Sequence, residues 1–103
     1  MRAKKVDANQ LEIIKALRSV GAVVCDLSRV GSGCPDLLVS FCGRNYLMEV
    51  KNPKTGRFTD DQKEFYKKWK APIHIVKTVD EALTAIGILI TEKKNLNYKN
   101  QEP

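Results

Sequence analysis

Two carboxylates and one amine lie at the ends of two neighbouring apolar segments. Asp36 begins the segment at residues 36–42, and Glu49 and Lys51 end the segment at residues 45–51. Mg²⁺ prefers carboxylate oxygens, keeps several waters and accepts phosphate oxygens; it polarises a phosphoryl group and lowers the pKa of a bound water. A lysine two residues beyond one ligand can orient that water or stabilise the negative charge of a phosphorane. The pattern therefore favours hydrolysis of a phosphate ester.

A predicted β-hairpin brings these three residues together. A turn at residues 43–44 pairs Asp36 with Lys51 and Leu38 with Glu49. Cross-strand partners share a face of the sheet, as do residues two apart in one strand. We therefore expect the three charged side chains on one face, provided that no bulge or one-residue slip intervenes.

The same face carries Leu38, Cys42 and Leu47, so we expect it to be covered. Both segments have apolar residues at odd and even positions, as central strands covered on both faces do. Charges near a covered surface are costly unless they pair or bind a ligand. From the spacing alone, a partly buried ion pair between Asp36 and Lys51 explains the pattern as well as a metal site does.

The whole chain predicts an α/β protein with the element order α-β-β-β-α-β-α. Apolar spacing, caps and turn residues bound each element. The predicted elements are a helix at 7–20, strands at 22–27, 36–42 and 45–51, a helix at 59–70, a strand at 73–76 and a helix at 79–90. We expect a single domain at 1–90, with helices packed on a mixed sheet, and a disordered tail at 91–103.

The composition favours an anionic partner. The 103 residues include 18 Lys and Arg against 12 Asp and Glu, a net charge of +6, which suggests nucleic acid; a solubilising surface is the alternative. Three cysteines without C-x-x-C spacing indicate neither a zinc site nor a disulfide framework. No signal peptide begins the sequence, and no apolar run approaches the roughly 18 residues of a membrane span. We expect a cytoplasmic protein.

The run GSGCPDLLV at residues 31–39, followed by Glu49-Val50-Lys51, resembles the signature of the PD-(D/E)XK nucleases. More narrowly, it is similar to the stand-alone VRR-NUC domains (virus-type replication-repair nucleases) of phages. The resemblance covers roughly residues 8–77. It implies a restriction-endonuclease-like αβββαβ core, here with an added C-terminal helix.

The resemblance also implies an activity, which is hydrolysis of DNA phosphodiester bonds with Mg²⁺ or Mn²⁺. Asp36 and Glu49 match the metal ligands, Val50 would offer its carbonyl, and Lys51 matches the family's lysine. Since one short chain offers a single active centre, we expect a homodimer on branched or junction-like DNA, in replication, recombination or repair. If a phage encodes the protein, its compartment is the host cytoplasm. The alternative is a non-catalytic nucleic-acid-binding module that keeps the nuclease fold.

The first helix offers two candidates for the glutamate that the family often places there. Gln10 and Glu12 point about 200° apart on a helix. Gln10 lies in the middle of an apolar stripe that includes Ile13, Ile14 and Leu17, so we expect it to face the sheet and Glu12 to face solvent. Its amide could orient a metal-bound water or phosphate; the alternative is a buried amide bonded to backbone. A glutamine carries no charge, so a third acidic ligand is in doubt.

Gln62 matches a glutamine near the start of the family's second helix, but residues 59–62 also form a capping-box sequence. Both interpretations predict the same helix start. In the loops, Arg29, Lys54 and Arg57 could neutralise DNA phosphates, with Ser32 beside flexible glycines completing a rim. Each taken alone could equally be an ordinary solvated charge.

Three other residues are expected to be structural. His74, the sole histidine, lies in an apolar strand, and no Ser-His-Asp or Cys-His arrangement can be assembled from it. Phe65 and Trp69, four residues apart, are expected to form the inward face of the second helix.

Overall fold

The computed structural model describes residues 8–89. Its elements are α1 (Ala8–Ser19), β1 (Val23–Asp26), β2 (Leu37–Phe41), β3 (Arg44–Val50), α2 (Asp60–Lys68), β4 (His74–Val76) and α3 (Val79–Ala85). This order confirms the prediction of an α/β protein with elements α-β-β-β-α-β-α. Asp7 and the predicted tail at 91–103 lie outside the described residues. Within 8–89, no helix has the length and hydrophobicity needed to cross a bilayer.

The four strands form one mixed sheet in the order β1-β2-β3-β4. β1 and β2 pair antiparallel, as do β2 and β3, whereas β3 and β4 pair parallel. The parallel pair is possible because α2 carries the chain back to the other end of the sheet.

The hairpin between β2 and β3 turns one residue earlier than predicted. Phe41 pairs with Arg44, so the turn residues are Cys42 and Gly43. Both have positive φ, 49° and 78°, as a type I′ turn requires. The predicted pairing of Leu38 with Glu49 is wrong, because Leu38 pairs with Leu47. The pairing moves by two positions, so every side chain keeps its predicted face.

One face of the sheet, here called the inner face, holds the core. Its main strand residues are Leu37, Val39, Met48 and Val50, all buried. The apolar stripe of α1 (Ile13, Ile14, Leu17) packs on it together with Ala82 and Ile86 from the α3 region. Helix α1 therefore forms and docks because its apolar residues recur at helical spacing.

The opposite, outer face is largely open, which corrects the prediction that both faces are covered. Leu38 is 37% exposed, and Cys42 is exposed at the hairpin tip. Of the helices in residues 8–89, only α2 lies on this face, and it has nine residues, none of them buried. It therefore covers only the end of the outer face where β3 leaves the sheet.

Two helices end two or more residues earlier than predicted. Helix α2 ends at Lys68, and Trp69 is its C-cap, 43% exposed and stacked on Phe65 at 5.2 Å instead of lying in the core. Beyond α3, Gly87 has a φ of 96°, and the amides of Gly87 and Ile88 donate to the carbonyls of Thr84 and Leu83. This is a Schellman motif, which stops a helix at a glycine.

Candidate active site

The structure brings Asp36, Glu49 and Lys51 together on the outer face, beside the start of α2. Glu49 and Lys51 are 3% and 8% exposed, and Asp36 is half-buried. Asp36 immediately precedes β2, and its Oδ2 accepts a hydrogen bond from the Val50 amide at 2.9 Å. Continuing the register by one residue places Asp36 opposite Glu49, not opposite Lys51 as predicted. The predicted convergence of the three side chains therefore stands, with a different cross-strand pair.

The two carboxylates form a close like-charged pair. Burial, and then the negative charge of Asp36, raise the pKa of Glu49 to about 7, and Lys51 opposes the shift. The thiol of Cys34, in the loop before Asp36, also has a raised pKa, caused by burial and then by the charges of Asp36 and Glu49. Glu49 Oε1 is buried, and no N–H or O–H group of residues 8–89 donates to it; the Glu49 carboxyl lies within hydrogen-bonding reach of the Asp36 carboxyl. A buried carboxylate oxygen in that state costs free energy unless a cation or a proton reaches it.

The ammonium of Lys51 is held from several sides. It donates to the Arg57 carbonyl at 2.8 Å and to Gln62 Oε1 at 2.7 Å, and it lies 3.4 Å from Glu49 Oε2. It also lies 4.4 Å from the centre of the Phe58 ring, within cation–π distance. Among residues 8–89, its ion-pair partner is Glu49 and not Asp36. The simple Asp36–Lys51 pair that the spacing allowed is therefore not formed.

Gln62 forms the predicted capping box and also contacts two residues of the candidate site. It closes the capping box of α2, since its Oε1 accepts from the backbone amide of Thr59 and its backbone amide donates to Thr59 Oγ1. The same side chain reaches the site, where Nε2 donates to Glu49 Oε2 at 2.8 Å and Oε1 accepts from Lys51. The start of α2 is thus fixed directly to the acid and the amine.

The loop before Asp36 packs against the start of α2 at Gly33. An added Cβ there would overlap the carbonyl of Asp61, and the residue has a φ of 81°. Only glycine meets both requirements. This close approach sets the position of Gln62 relative to Asp36.

Helix α1 approaches the end of β3 through its first turn. Asn9 donates from Nδ2 to the carbonyls of Lys51 and Lys77, at 3.2 Å and 3.4 Å. Gln10 is buried as predicted, at 6% exposure, and Glu12 is exposed. The Nε2 of Gln10 has no hydrogen-bond partner, and within the described residues its amide makes no hydrogen bond to Asp36, Glu49 or Lys51.

The predicted rim residues are all exposed. Arg29 and Ser32 lie in the loop between β1 and β2, and Lys54 and Arg57 lie in the loop between β3 and α2. Arg57 also contributes its carbonyl to Lys51. The four side chains therefore lie on the two loops that flank the site.

The donor set fits a hard divalent cation. Two adjacent carboxylates offer oxygens, and one of these oxygens is buried without a partner. Continuing the β2–β3 register two residues beyond the Leu37–Met48 pair places Val50 opposite Pro35. Because proline has no amide hydrogen, it cannot donate to the Val50 carbonyl across the hairpin. Within residues 8–89 there is no cluster of three or more His, Cys, Asp or Glu side chains placed to hold a metal. The residues present match the one or two carboxylates with which Mg²⁺ is usually held.

Phe58 and Tyr66 contact the site but were not predicted to do so. The Tyr66 hydroxyl is buried without a partner, and burial followed by the charges of Glu49 and Asp36 raises its pKa. The sequence contains one signal for Tyr66, because it lies four residues after Gln62 and hence on the same side of α2. Phe58 lies in an irregular loop and gives no such signal.

Comparison with protein-family models, curated proteins and solved structures finds no match for this chain.

Proposed function

We propose that this protein is a Mg²⁺- or Mn²⁺-dependent DNA endonuclease that hydrolyses phosphodiester bonds. The observation that carries the proposal is the buried Glu49 carboxylate, which lies beside Asp36 with one oxygen unpartnered. A purely structural carboxylate would have its oxygens bonded. The charge of Asp36 raises the proton affinity of Glu49, and a buried acid beside a second acid is a site for a cation.

The fold is consistent with a restriction-endonuclease-like core of the VRR-NUC type. The first six elements run α-β-β-β-α-β, and β4 pairs parallel with β3 at the edge of the sheet. Asp36 lies just before β2, Glu49 lies near the end of β3 and Lys51 just after it, which supports the resemblance. The resemblance and the geometry support the same assignment, although they are separate lines of argument.

Asp36, Glu49 and the Val50 carbonyl would hold the cation, which when bound supplies a Lewis acid and an acidified water. Lys51 lies beside Glu49 and would stabilise the negative charge that develops on the phosphate. Gln62 fixes the direction of the Glu49 carboxylate through Oε2 and so leaves Oε1 for the cation. Gln10 would contribute a neutral amide from α1.

Four exposed side chains on the loops that flank the site would contact the substrate. Arg29, Ser32, Lys54 and Arg57 would bind phosphates of the DNA backbone, which makes affinity fall with salt. Branched or junction-like DNA needs two cuts, so we propose a homodimer with one active centre in each subunit. Light scattering under cleavage conditions tests this, because a monomer that still cuts both strands of a junction contradicts it.

A non-catalytic nucleic-acid-binding domain with the same fold is the second candidate. The Lys51 ammonium already has acceptors in Arg57 and Gln62, and Gln10 adds no charge to the site. Both features would suit a domain in which the lysine is structural.

A cleavage assay distinguishes the two candidates. Labelled linear, flapped and four-way-junction DNA are incubated with the protein and Mg²⁺, Mn²⁺ or EDTA. We expect metal-dependent cleavage that Lys51→Ala abolishes with DNA binding retained, whereas Lys70→Ala, which removes an exposed ammonium beyond α2, cleaves normally. Binding without cleavage in either metal would identify the non-catalytic domain.

A further inference from the structure

A cavity of about 440 Å³ lies along α2, and Phe58, Lys63, Tyr66 and Lys67 line it. This volume lies within the roughly 300–1,000 Å³ of small-ligand sites. The lining is almost entirely apolar, made by two aromatic rings and the aliphatic stems of two exposed lysines. We call it the α2 cavity.

The α2 cavity adjoins the candidate active site. The Phe58 ring that lines it is 4.4 Å from the Lys51 ammonium. The Tyr66 ring meets Phe58 edge-on at 5.6 Å. The Tyr66 hydroxyl is buried, and after burial the charges of Glu49 and Asp36 raise its pKa. A molecule in the cavity would therefore lie next to the two carboxylates.

The two lysines have little to bind within the protein. In the part of the chain that the structure describes, Lys63 forms no ion pair, and Lys67 has only a 3.8 Å contact with Glu64 in which both side chains are mostly exposed. Exposed pairs of that kind contribute little. Both ammonium groups are free to meet an external anion.

An aromatic surface beside free cations matches the chemistry of a nucleotide. A base has a flat π-face that stacks on aromatic side chains regardless of sequence, and a basic groove follows the phosphates. A base inside a duplex is already stacked on its neighbours and cannot reach such a cavity without leaving the helix. The cavity is therefore selective for an unpaired nucleotide.

We propose that the α2 cavity binds one unpaired nucleotide of the DNA, with its base against Phe58 and Tyr66 and its phosphate at Lys63 and Lys67. This rests on the proposed nuclease function and narrows its substrate to DNA with an unpaired nucleotide beside the bond that is cut. The single-stranded arm of a flap or the unpaired end at a branch supplies such a nucleotide.

The test measures binding of the full chain in EDTA by fluorescence anisotropy, with a fully paired duplex and with the same duplex carrying a single-stranded arm. We expect the arm to improve affinity about ten-fold, the effect of one good base stack. Phe58→Leu removes most of that preference. In the double variant Lys63→Gln/Lys67→Gln both side chains are exposed, so the fold should be kept. This variant weakens arm binding more than duplex binding. The matched control Trp69→Leu removes an exposed ring outside the cavity and keeps the preference.

A second readout locates the base. 2-Aminopurine as the first unpaired nucleotide of the arm should be quenched by the wild type and by Trp69→Leu, but not by Phe58→Leu. Equal affinity for arm and duplex, an unchanged preference in Phe58→Leu, or equally tight binding of a polyglutamate peptide would each overturn the subsite.

Cleavage of the arm-bearing DNA and of the paired duplex with Mg²⁺, measured in parallel, separates the two proposals. Cleavage without any preference for the arm overturns the subsite alone. The absence of both cleavage and binding overturns the nuclease as well.

Discussion

The side-chain amide of Gln62 donates to Glu49 Oε2 at 2.8 Å, while Glu49 Oε1 is buried and receives no hydrogen bond from residues 8–89. The two oxygens of one carboxylate are thus in different states. The first is fixed by the cap of a helix, and the second is available to a cation. This asymmetry is the basis of the first prediction.

Gln62→Ala should reduce both activity and stability, because the residue is a cap and a positioning group. We expect cleavage or metal affinity to fall about 10–100-fold, as when a partner of a metal ligand is lost. The matched control Thr59→Ala removes the cap hydroxyl and should cost about 1 kcal/mol of unfolding free energy while cleavage persists. Urea unfolding and cleavage rates measure both effects. Equal losses of activity in the two variants would mean that Gln62 acts only as a cap.

The raised pKa of Glu49 predicts how stability depends on pH in EDTA. Its pKa is about 7 in the folded chain against 4.5 for an ordinary glutamate, so the folded state binds the extra proton between these values. The stabilisation is complete below about 4.5 and is lost as the pH rises through 7. Burial is the main cause of the shift; of the neighbouring charges, Asp36 favours the proton and Lys51 opposes it.

Thermal unfolding between pH 4 and pH 8, with and without Mg²⁺, tests this dependence. Glu49→Gln should flatten the fall in melting temperature. Mg²⁺ should raise the melting temperature more at pH 8 than at pH 5, because the cation competes with the proton. An equal effect of Mg²⁺ at both values would place the cation elsewhere.

Asp36→Asn and Asp36→Ala should differ in stability but not in activity. Asparagine keeps an oxygen that can accept from the Val50 amide and can donate to Glu49, so it should leave the fold as stable as before or more so at pH 8. Alanine leaves the Val50 amide without its partner and should cost roughly 1–3 kcal/mol. Both should abolish Mn²⁺ uptake, measured by calorimetric titration. Retained Mn²⁺ binding in Asp36→Asn would exclude Asp36 as a ligand.

Gly33→Ala should displace the start of α2, because its Cβ would overlap the backbone of Asp61. Gly31→Ala is the matched control, since Gly31 also has positive φ, 78°, but nothing lies within 4 Å of an added Cβ. We expect the control to lose about 1 kcal/mol from backbone strain and Gly33→Ala to lose more, together with cleavage. Urea midpoints and cleavage rates compare them; identical behaviour would show that the contact with α2 does not position the site.

The convergence of the acids and the lysine could be predicted from the sequence. Successive side chains of a strand point to opposite faces of the sheet, so a shift in pairing by an even number of residues leaves each side chain on its face. The actual turn moved the register by two positions, which left Asp36, Glu49 and Lys51 on one side. The turn itself was missed because Cys42, a residue that rarely has positive φ, occupies its first position.

Other parts of the site could not be read from the sequence. The side-chain amide of Gln62 bonds both the Thr59 backbone amide at the helix cap and the Glu49 and Lys51 side chains of the site. The sequence spacing is the same for either role, so it does not distinguish them. The position of Phe58 depends on the path of an irregular loop. The exposure of Trp69 follows from α2 ending at Lys68, whereas periodicity alone extends the helix to residue 70.

Pro35 has a consequence for how the molecule melts. The antiparallel hydrogen-bonding pattern of β2 and β3 ends at this proline. The amide of Val50, which lies opposite, donates instead to the Asp36 carboxylate. The last bond that holds the hairpin at this end is therefore made by an ionisable side chain. Strand fraying would begin at the residues that we propose as cation ligands, and an ion bound there would hold the two strands of the hairpin together. Amide hydrogen exchange at Val50 should slow when Mg²⁺ is added, while exchange near the Cys42–Gly43 turn stays the same.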